Sequence, residues 1–267
     1  MTALRPVTVV TGASAGIGAE LARVFGRHGH ALVLLARRTE RLETLAAEIA
    51  ASGAPPPLVV TCDLLAPQAV EELARTLQQE GVEPQYLVNN AGFGLVGSAV
   101  ALPRDEQLAI TDLNVRVLTE LSLRFADSIA RQRGGILNVA SMAAFVPGPR
   151  MAVYYASKSY VLSFSEALSV ELKPLGVRVT ALCPGPVATE FAARAGIGSK
   201  AKPGLLSMPA DAVAAEGYRG LMAGKRRVIP GPRLKIVLFL IAFVPNALLL
   251  AFVSERQRRR LAREGLK

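Results

Sequence analysis

The chain has 267 residues, a formal net charge of +10, 51 % hydrophobic residues and 19 % charged ones. That balance excludes global disorder, and the length suffices for a sizeable core in one or two domains, a single one being usual for an α/β unit of this size. The two cysteines, Cys62 and Cys183, lie in or beside apolar runs, and without a Cys-x-x-Cys or His-x-x-x-His pair they read as buried free thiols rather than a disulfide or metal site.

Val7 to Val10 is a short, β-branched apolar run that suits a buried parallel strand. It leads into Thr11-Gly12-Ala13-Ser14-Ala15-Gly16-Ile17-Gly18, and a helical pattern follows with Leu21, Val24 and Phe25 on one face. Strand, glycine-rich turn and helix together bring a pyrophosphate onto the backbone N–H groups of a helix N-terminus. The spacing is Gly-x-x-x-Gly-x-Gly, not the Gly-x-Gly-x-x-Gly of the standard dinucleotide fingerprint. Gly12, Ser14, Gly16, Ile17 and Gly18 are the expected cofactor contacts of this turn. His28 and His30 flank the next helix–strand junction, where a surface role is expected.

Ala31 to Leu35 predicts the second strand, and Ala36-Arg37-Arg38 follows it. A site selective for NAD places an acid near this position for the ribose 2′-hydroxyl. Ala36 cannot serve, whereas Arg37 and Arg38 attract a 2′-phosphate through their planar forks of donors. The alternative is two solvated residues in the first turn of a helix. Glu40 to Ala51 is predicted helical, Ala54-Pro55-Pro56-Pro57 is a break, Leu58 to Thr61 the third strand, and Pro67 to Glu80 a helix. Tyr86 to Asn89 forms the fourth strand, ahead of Asn90-Ala91-Gly92. Leu108 to Arg131 holds one long helix or two, with Asn114 inside. Gly135 to Val139 is the fifth strand, with Ser141 just past its end. Met151 to Leu172 is a helix, Val177 to Leu182 the sixth strand, Pro209 to Met222 a helix and Arg227 to Ile229 the last strand. The alternation predicts a doubly wound parallel sheet, a Rossmann fold, with ligands at the carboxyl ends of the strands.

The helix from Met151 carries Tyr154-Tyr155-Ala156-Ser157-Lys158. Tyr154 and Lys158 are i and i+4, so phenol and ammonium share one face. Tyrosines and lysines also meet this way on solvated helices. A free phenol has a pKa near 10, and a cation beside it brings that value towards the working range. A serine hydroxyl can hold a substrate oxygen beside the phenol. Together these groups can move a proton to or from an alcohol or carbonyl oxygen. Tyr155, adjacent to Tyr154, points elsewhere and is expected to pack or line a pocket.

Thr11 to Gly18, Asn89-Asn90-Ala91-Gly92, Asn114, Ser141 and Tyr154 with Lys158 occur in the order of the short-chain dehydrogenase/reductase family, and Pro184-Gly185 follows the sixth strand. The chain resembles that family, in its NADP-preferring form, over roughly residues 5 to 230. The resemblance implies that Tyr154 is the general acid in reduction and the base in oxidation. It implies that Lys158 lowers the phenol pKa and bonds the nicotinamide ribose, that Ser141 holds the substrate oxygen, and that Asn114 anchors a water. Asp63 would bind the adenine amino group, or cap the next helix. Asn90, Ala91 and Gly92 would line the adenosine side. Pro184, Gly185, Val187 and Thr189 would complete the cofactor site, Thr189 at the nicotinamide carboxamide. NADP(H) is the expected cofactor, NAD(H) less so; no metal is expected. The opposing reading is a non-catalytic NADP(H)-binding sensor or interaction protein on the same fold.

Phe93, Leu95, Val96, Ala143, Ala144, Phe145, Val146, Met151 and Phe191 predict an apolar pocket, hence a lipophilic ketone, aldehyde or secondary alcohol. Arg150 and Arg194 are the candidate carboxylate clamps. A catalytic domain over 1–231, with a substrate loop near 186–208, is expected to precede an apolar and basic extension over 232–267. Ile236 to Val253 is nearly all apolar but broken by Pro245-Asn246, and Ser254-Glu255-Arg256-Gln257-Arg258-Arg259-Arg260 follows. A spanning helix needs about 20 apolar residues, so two short helices are expected. They would cover the pocket, pack in a homodimer or homotetramer, or touch a membrane peripherally. Nucleic acid is not an expected partner. With no secretory signal at its start, the chain is expected in the cytoplasm.

Overall fold

The computed structural model describes residues 4–196, 204–245 and 247–255. Among them, seven strands form one parallel sheet: β1 Arg5–Thr11, β2 Leu32–Ala36, β3 Leu58–Thr61, β4 Val82–Asn89, β5 Gly135–Val139, β6 Arg178–Leu182 and β7 Arg227–Val228. Their order is β3-β2-β1-β4-β5-β6-β7. β2 and β5 are buried along their whole length, which is why β2 reads as an unbroken apolar run rather than an alternating one. Helices α1 Gly16–Arg27, α2 Thr39–Ala51 and α9 Ala210–Met222 cover one face through Leu21, Phe25, Leu42, Val213 and Leu221. Helices α3 Ala69–Gln79, α5 Leu118–Arg124, α6 Ala126–Arg131 and α7 Ala152–Glu171 cover the other through Leu73, Leu121, Ile129 and Leu168. This is the doubly wound sheet that the sequence predicts, in a single domain.

The differences are local. β4 starts at Val82 rather than Tyr86, because Glu83, Pro84 and Gln85 mask a strand that pairs with β1 through a register shift between Val7 and Thr8. The segment predicted as one long helix or two is α4 Arg104–Thr111, a π-helical stretch Asp112–Val117, then α5 and α6 parted at Phe125. A short helix, α8 Glu190–Arg194, lies in the expected substrate loop; residues 197–203 of that loop lie outside the described ones. His30 is not a surface residue. It is half-buried against Phe25, Tyr86 and Tyr218, and burial pushes its pKa down.

Past β7 the chain turns at Gly231, φ 81°, and Pro232 opens α10 Pro232–Ile241. Residues 247–255 are helical again, so the expected two short helices are present. No helix among the described residues is long and apolar enough to cross a membrane. The expectation that the extension buries its apolar face on the protein fails within the chain. Leu234, Leu238 and Leu249 are buried, but Phe239, Phe243 and Phe252 stay 65, 73 and 65 % exposed. α10 is apolar on nearly every side, and only its Leu234–Leu238 edge meets the sheet domain.

Candidate active site

β1 and β4 are adjacent, and the chain leaves them towards opposite flanks of the sheet. The crevice at such a switch point is where open α/β sheets bind ligands. The turn after β1 builds its floor. Gly12 and Gly16 have φ of 66° and 57°, the left-handed region that glycine adopts without strain. A Cβ at Gly12 would meet the Asn90 amide nitrogen at 2.8 Å. One at Gly18 would fall on that same amide and on the Gly12 carbonyl. Asn90 explains the crowding: its Nδ2 donates to the carbonyls of Thr11 (3.0 Å) and Gly12 (3.2 Å), tying the β4 loop to the turn. Gly18→Ala is therefore expected to lower stability by about 1–3 kcal/mol, the scale of overpacking, in chemical unfolding; a wild-type midpoint would contradict this packing.

The turn suits a dinucleotide on its own geometry. Ala15 precedes α1 with no side-chain cap, and the first turn of α1 has no acidic residue. Its N–H groups and the positive end of the helix dipole thus face the crevice without an internal anion. Ile17 packs against the core from this turn, and the Ala91 backbone N–H donates to the Thr11 hydroxyl oxygen at 3.0 Å. Thr189 comes from across the crevice, its Cγ2 3.0 Å from where a Gly16 Cβ would stand, and it caps α8. Pro184 accepts the Met142 N–H at 2.8 Å, Gly185 lies against the Leu206 carbonyl with no room for a side chain, and Val187 bridges to Met208.

The arginines after β2 meet acids rather than water alone. Arg38 donates from Nε and Nη2 to Ser14 Oγ, at 3.3 and 3.1 Å, and from Nη1 to Glu190 at 2.7 Å. Arg41, one turn further along α2, also bonds Glu190. Hydrogen bonds from Arg41 first and Arg38 second lower the Glu190 carboxyl pKa. Arg37 instead stands 3.8 Å from Asp63, whose Oδ1 accepts the Leu65 N–H. Asp63 therefore closes a local turn and does not cap α3. Sequence reasoning missed Arg41 and Glu190. Arg41 had a signal, its i+3 spacing from Arg38; Glu190, across the fold, had none.

The proton-handling residues converge at the ends of β4, β5 and β6. Tyr154, Lys158 and Asn114 are 9, 5 and 0 % exposed. Asn114 sits in the π-helical stretch, a distortion frequent at functional sites. Its Oδ1 accepts the Phe93 N–H (3.1 Å), and its Nδ2 donates to the Phe93 carbonyl (3.0 Å) and Ser157 Oγ (3.0 Å). Gly92 is needed here, since a Cβ would come 2.8 Å from Asn114 Oδ1 and 3.5 Å from Lys158 Nζ. Ser141, just past β5, bonds the Tyr154 phenol and accepts the Ala143 N–H. A second buried ladder, unseen in the sequence, runs from Asn89 to Asn138 to Ser165 and fixes α7 to the sheet.

The electrostatics differ from the sequence expectation. Lys158 Nζ lies 5.9 Å from the centre of the Tyr154 ring and donates to the Val139 carbonyl at 2.8 Å, not to the phenol. Burial pushes Tyr154 up to about 12, with the Ser141 hydrogen bond opposing. Burial pushes Lys158 down to about 8. Burial dominates, so the phenol is protonated through the neutral range, the state that can donate to a carbonyl oxygen. A lysine depressed from 10.5 to about 8 costs folding stability below that lower value, and the cost is relieved as pH rises towards 10.5. Wild-type stability is thus expected to gain on that of Lys158→Met as pH rises from about 8 to about 10. Parallel melting curves for the two proteins across that range would contradict it.

The wall around the phenol is apolar. The Phe191 ring centre is 5.3 Å from that of Tyr154. Leu95, Leu102, Ile110 and Met151 line a small cavity with Tyr154. Tyr155 makes an edge contact with Tyr154 and fills the space over Gly148. Of the two candidate clamps, Arg194 lies 4.2 Å over the Phe93 ring, while the Arg150 backbone carbonyl accepts the Gly97 N–H.

A glycine-rich turn at a helix N-terminus, a buried Tyr–Lys–Asn cluster beside Ser141 and a switch-point crevice define a nicotinamide-dependent oxidoreductase on a Rossmann fold. Comparison with known proteins agrees. A model of the short chain dehydrogenase family matches residues 6–199. The probable oxidoreductase EphD of Mycobacterium tuberculosis is 35 % identical over 190 residues, 70 % of this chain and 32 % of that protein; the chain spans about a third of its length. A short-chain dehydrogenase from Sphingobium yanoikuyae, solved in complex with NADPH, is 31 % identical with a TM-score of 0.77, over 91 % of this chain and 97 % of that one. A bulky-bulky ketone specific alcohol dehydrogenase from Comamonas testosteroni is 27 % identical with a TM-score of 0.73, over 92 % and 97 %. The chain belongs to the short-chain dehydrogenase/reductase family.

Proposed function

We propose that the protein is an NADP(H)-dependent reductase of lipophilic ketones or aldehydes, able to run in reverse on secondary alcohols. The observation that carries this reading is the buried Tyr154 set against Phe191 in an apolar wall, with Lys158 Nζ 5.9 Å from its ring centre. A carbonyl oxygen set between the Tyr154 and Ser141 hydroxyls receives the phenol proton as negative charge develops on it, with Ser141 Oγ donating a hydrogen bond. Lys158 supplies the nearby positive charge and a donor for the nicotinamide ribose. Asn114 fixes the Phe93 backbone and Ser157, and keeps acceptor capacity for the water assigned to it. When bound, the cofactor supplies or takes the hydride.

The NADP(H) preference is supported by Ser14, Arg38 and Arg41, donors already gathered on an anion, the Glu190 carboxylate. Arg37, with Asp63, forms the adenine end. Gly12, Gly16, Ile17 and Gly18 cradle the pyrophosphate, and Asn90, Ala91, Gly92, Pro184, Gly185, Val187 and Thr189 complete the walls. A homodimer or homotetramer in the cytoplasm remains part of this reading, with residues 1–231 as the catalytic unit. NADPH consumption across a panel of aryl and alkyl ketones and aldehydes tests it. Turnover that improves with substrate apolar area is expected; tight NADPH binding without turnover on any carbonyl or alcohol favours the sensor reading instead.

A further inference from the structure

Outside the crevice, exposed large apolar side chains are scattered, except on the segment after Gly231. There Ile236, Phe239, Leu240 and Phe243 follow i, i+3, i+4, i+7 spacing and face away from the sheet domain, from 58 to 73 % exposed. Leu248 and Phe252, a turn apart on the second helix, add to the same segment at 63 and 65 %. A continuous apolar surface of this kind marks a docking site.

Charge selects the occupant. Between Pro232 and Ser254 there is no aspartate or glutamate, and the exposed Arg233 and Lys235 stand at the start of α10. The sequence that follows holds Arg256, Arg258, Arg259, Arg260 and Arg263. Basic residues thus bracket the apolar run at both ends. Glu255 and Glu264 are outnumbered by these basic residues, so a second copy docked on this face would bring two net-positive sets together. A surface of anionic lipid meets both features, taking the apolar side chains below its headgroups and the arginines and lysine among its phosphates. Neither helix is long enough to span, so the segment lies in the plane of the interface.

We propose that the described residues 232–245 and 247–255 are a docking surface for an anionic lipid bilayer. Leu234 and Leu238 are the buried contacts of α10 with the domain. Leu234 packs beside Gly185, in the loop that leads from β6 towards the crevice. A docked bilayer therefore lies on the side of the molecule that carries the substrate loop. The proposal does not depend on the reaction assigned above.

Flotation of the full-length protein with vesicles tests it, comparing phosphatidylcholine alone with phosphatidylcholine containing phosphatidylglycerol. Most of the protein is expected to float with the anionic vesicles at low salt, far less at high salt, and little with the neutral ones. Phe239→Ser with Phe243→Ser is expected to reduce binding to anionic vesicles by about tenfold or more, through lost apolar insertion. These are outward-facing positions, and unchanged circular dichroism and melting are the control for folding. Arg233→Gln with Lys235→Gln is the second variant, expected to weaken binding at low salt alone. Absence of flotation with anionic vesicles overturns the proposal, and if the phenylalanine variant then breaks a wild-type oligomer, the face belongs to a second copy. Equal flotation with neutral and anionic vesicles overturns the electrostatic selection.

Discussion

Tyr154→Phe is expected to lower turnover on a good carbonyl substrate by at least about a hundredfold, the scale of general acid catalysis. The substitution removes the hydroxyl and keeps the ring, so the contacts with Phe191 and Tyr155 survive. The phenol is buried and held protonated, with Ser141 as its hydrogen-bonding neighbour. Lys158 Nζ lies 5.9 Å from the ring centre and donates to the Val139 carbonyl, so it supplies charge beside the phenol rather than the transferred proton. NADPH affinity should be little changed, because the loss falls on the chemical step. Tyr155→Phe is the matched control and should turn over nearly as wild type. A Tyr154→Phe enzyme with near-normal turnover would remove the phenol from the mechanism.

Arg38→Ala is expected to weaken NADPH binding by about ten- to a hundredfold while leaving NADH binding within a few-fold. A charged hydrogen bond to phosphate is worth about 1.5–3 kcal/mol, and every 1.4 kcal/mol is about tenfold in affinity. Arg38 is singled out because its fork reaches both Ser14 and the anion position held by Glu190. Arg37 is turned towards Asp63, so Arg37→Ala should have the smaller effect. Adding Ala36→Asp to Arg38→Ala places an acid at the end of β2 for a ribose hydroxyl, and should carry the preference over to NADH. Fluorescence titration with each nucleotide measures both effects, and a wild type that binds NADH more tightly than NADPH would contradict the assignment.

Most of the sheet was legible because its strands are buried on both faces, so Val7 to Val10 and Leu32 to Leu35 carry runs that admit few other readings. The glycine turn was legible for a related reason. Positive φ at Gly12 and Gly16 and the close approach of Asn90 at Gly18 exclude side chains, and that exclusion is written in the residue types. What could not be read depends on contacts distant in sequence. The Arg38–Glu190 and Arg41–Glu190 pairs join residues 152 and 149 positions apart. The i, i+4 spacing placed Lys158 on the correct face of α7, but how deeply it and Tyr154 are buried required the packing of Asn114, Gly92 and the β5 end around them. The π-helical turn at Asn114 gave no composition signal, because its residues suit an ordinary α-helix equally well. The outward face of α10 was hidden in the sequence too: a helix apolar on every side does not announce which edge, here Leu234 and Leu238, meets the domain.

The most direct test of the central claim is label transfer from deuterated NADPH to a bulky, lipophilic ketone in the presence of the purified protein. A secondary alcohol with one deuterium on the former carbonyl carbon is expected, formed with wild type and nearly lost with Tyr154→Phe. Tight NADPH binding with no labelled alcohol from any ketone or aldehyde tried would contradict it.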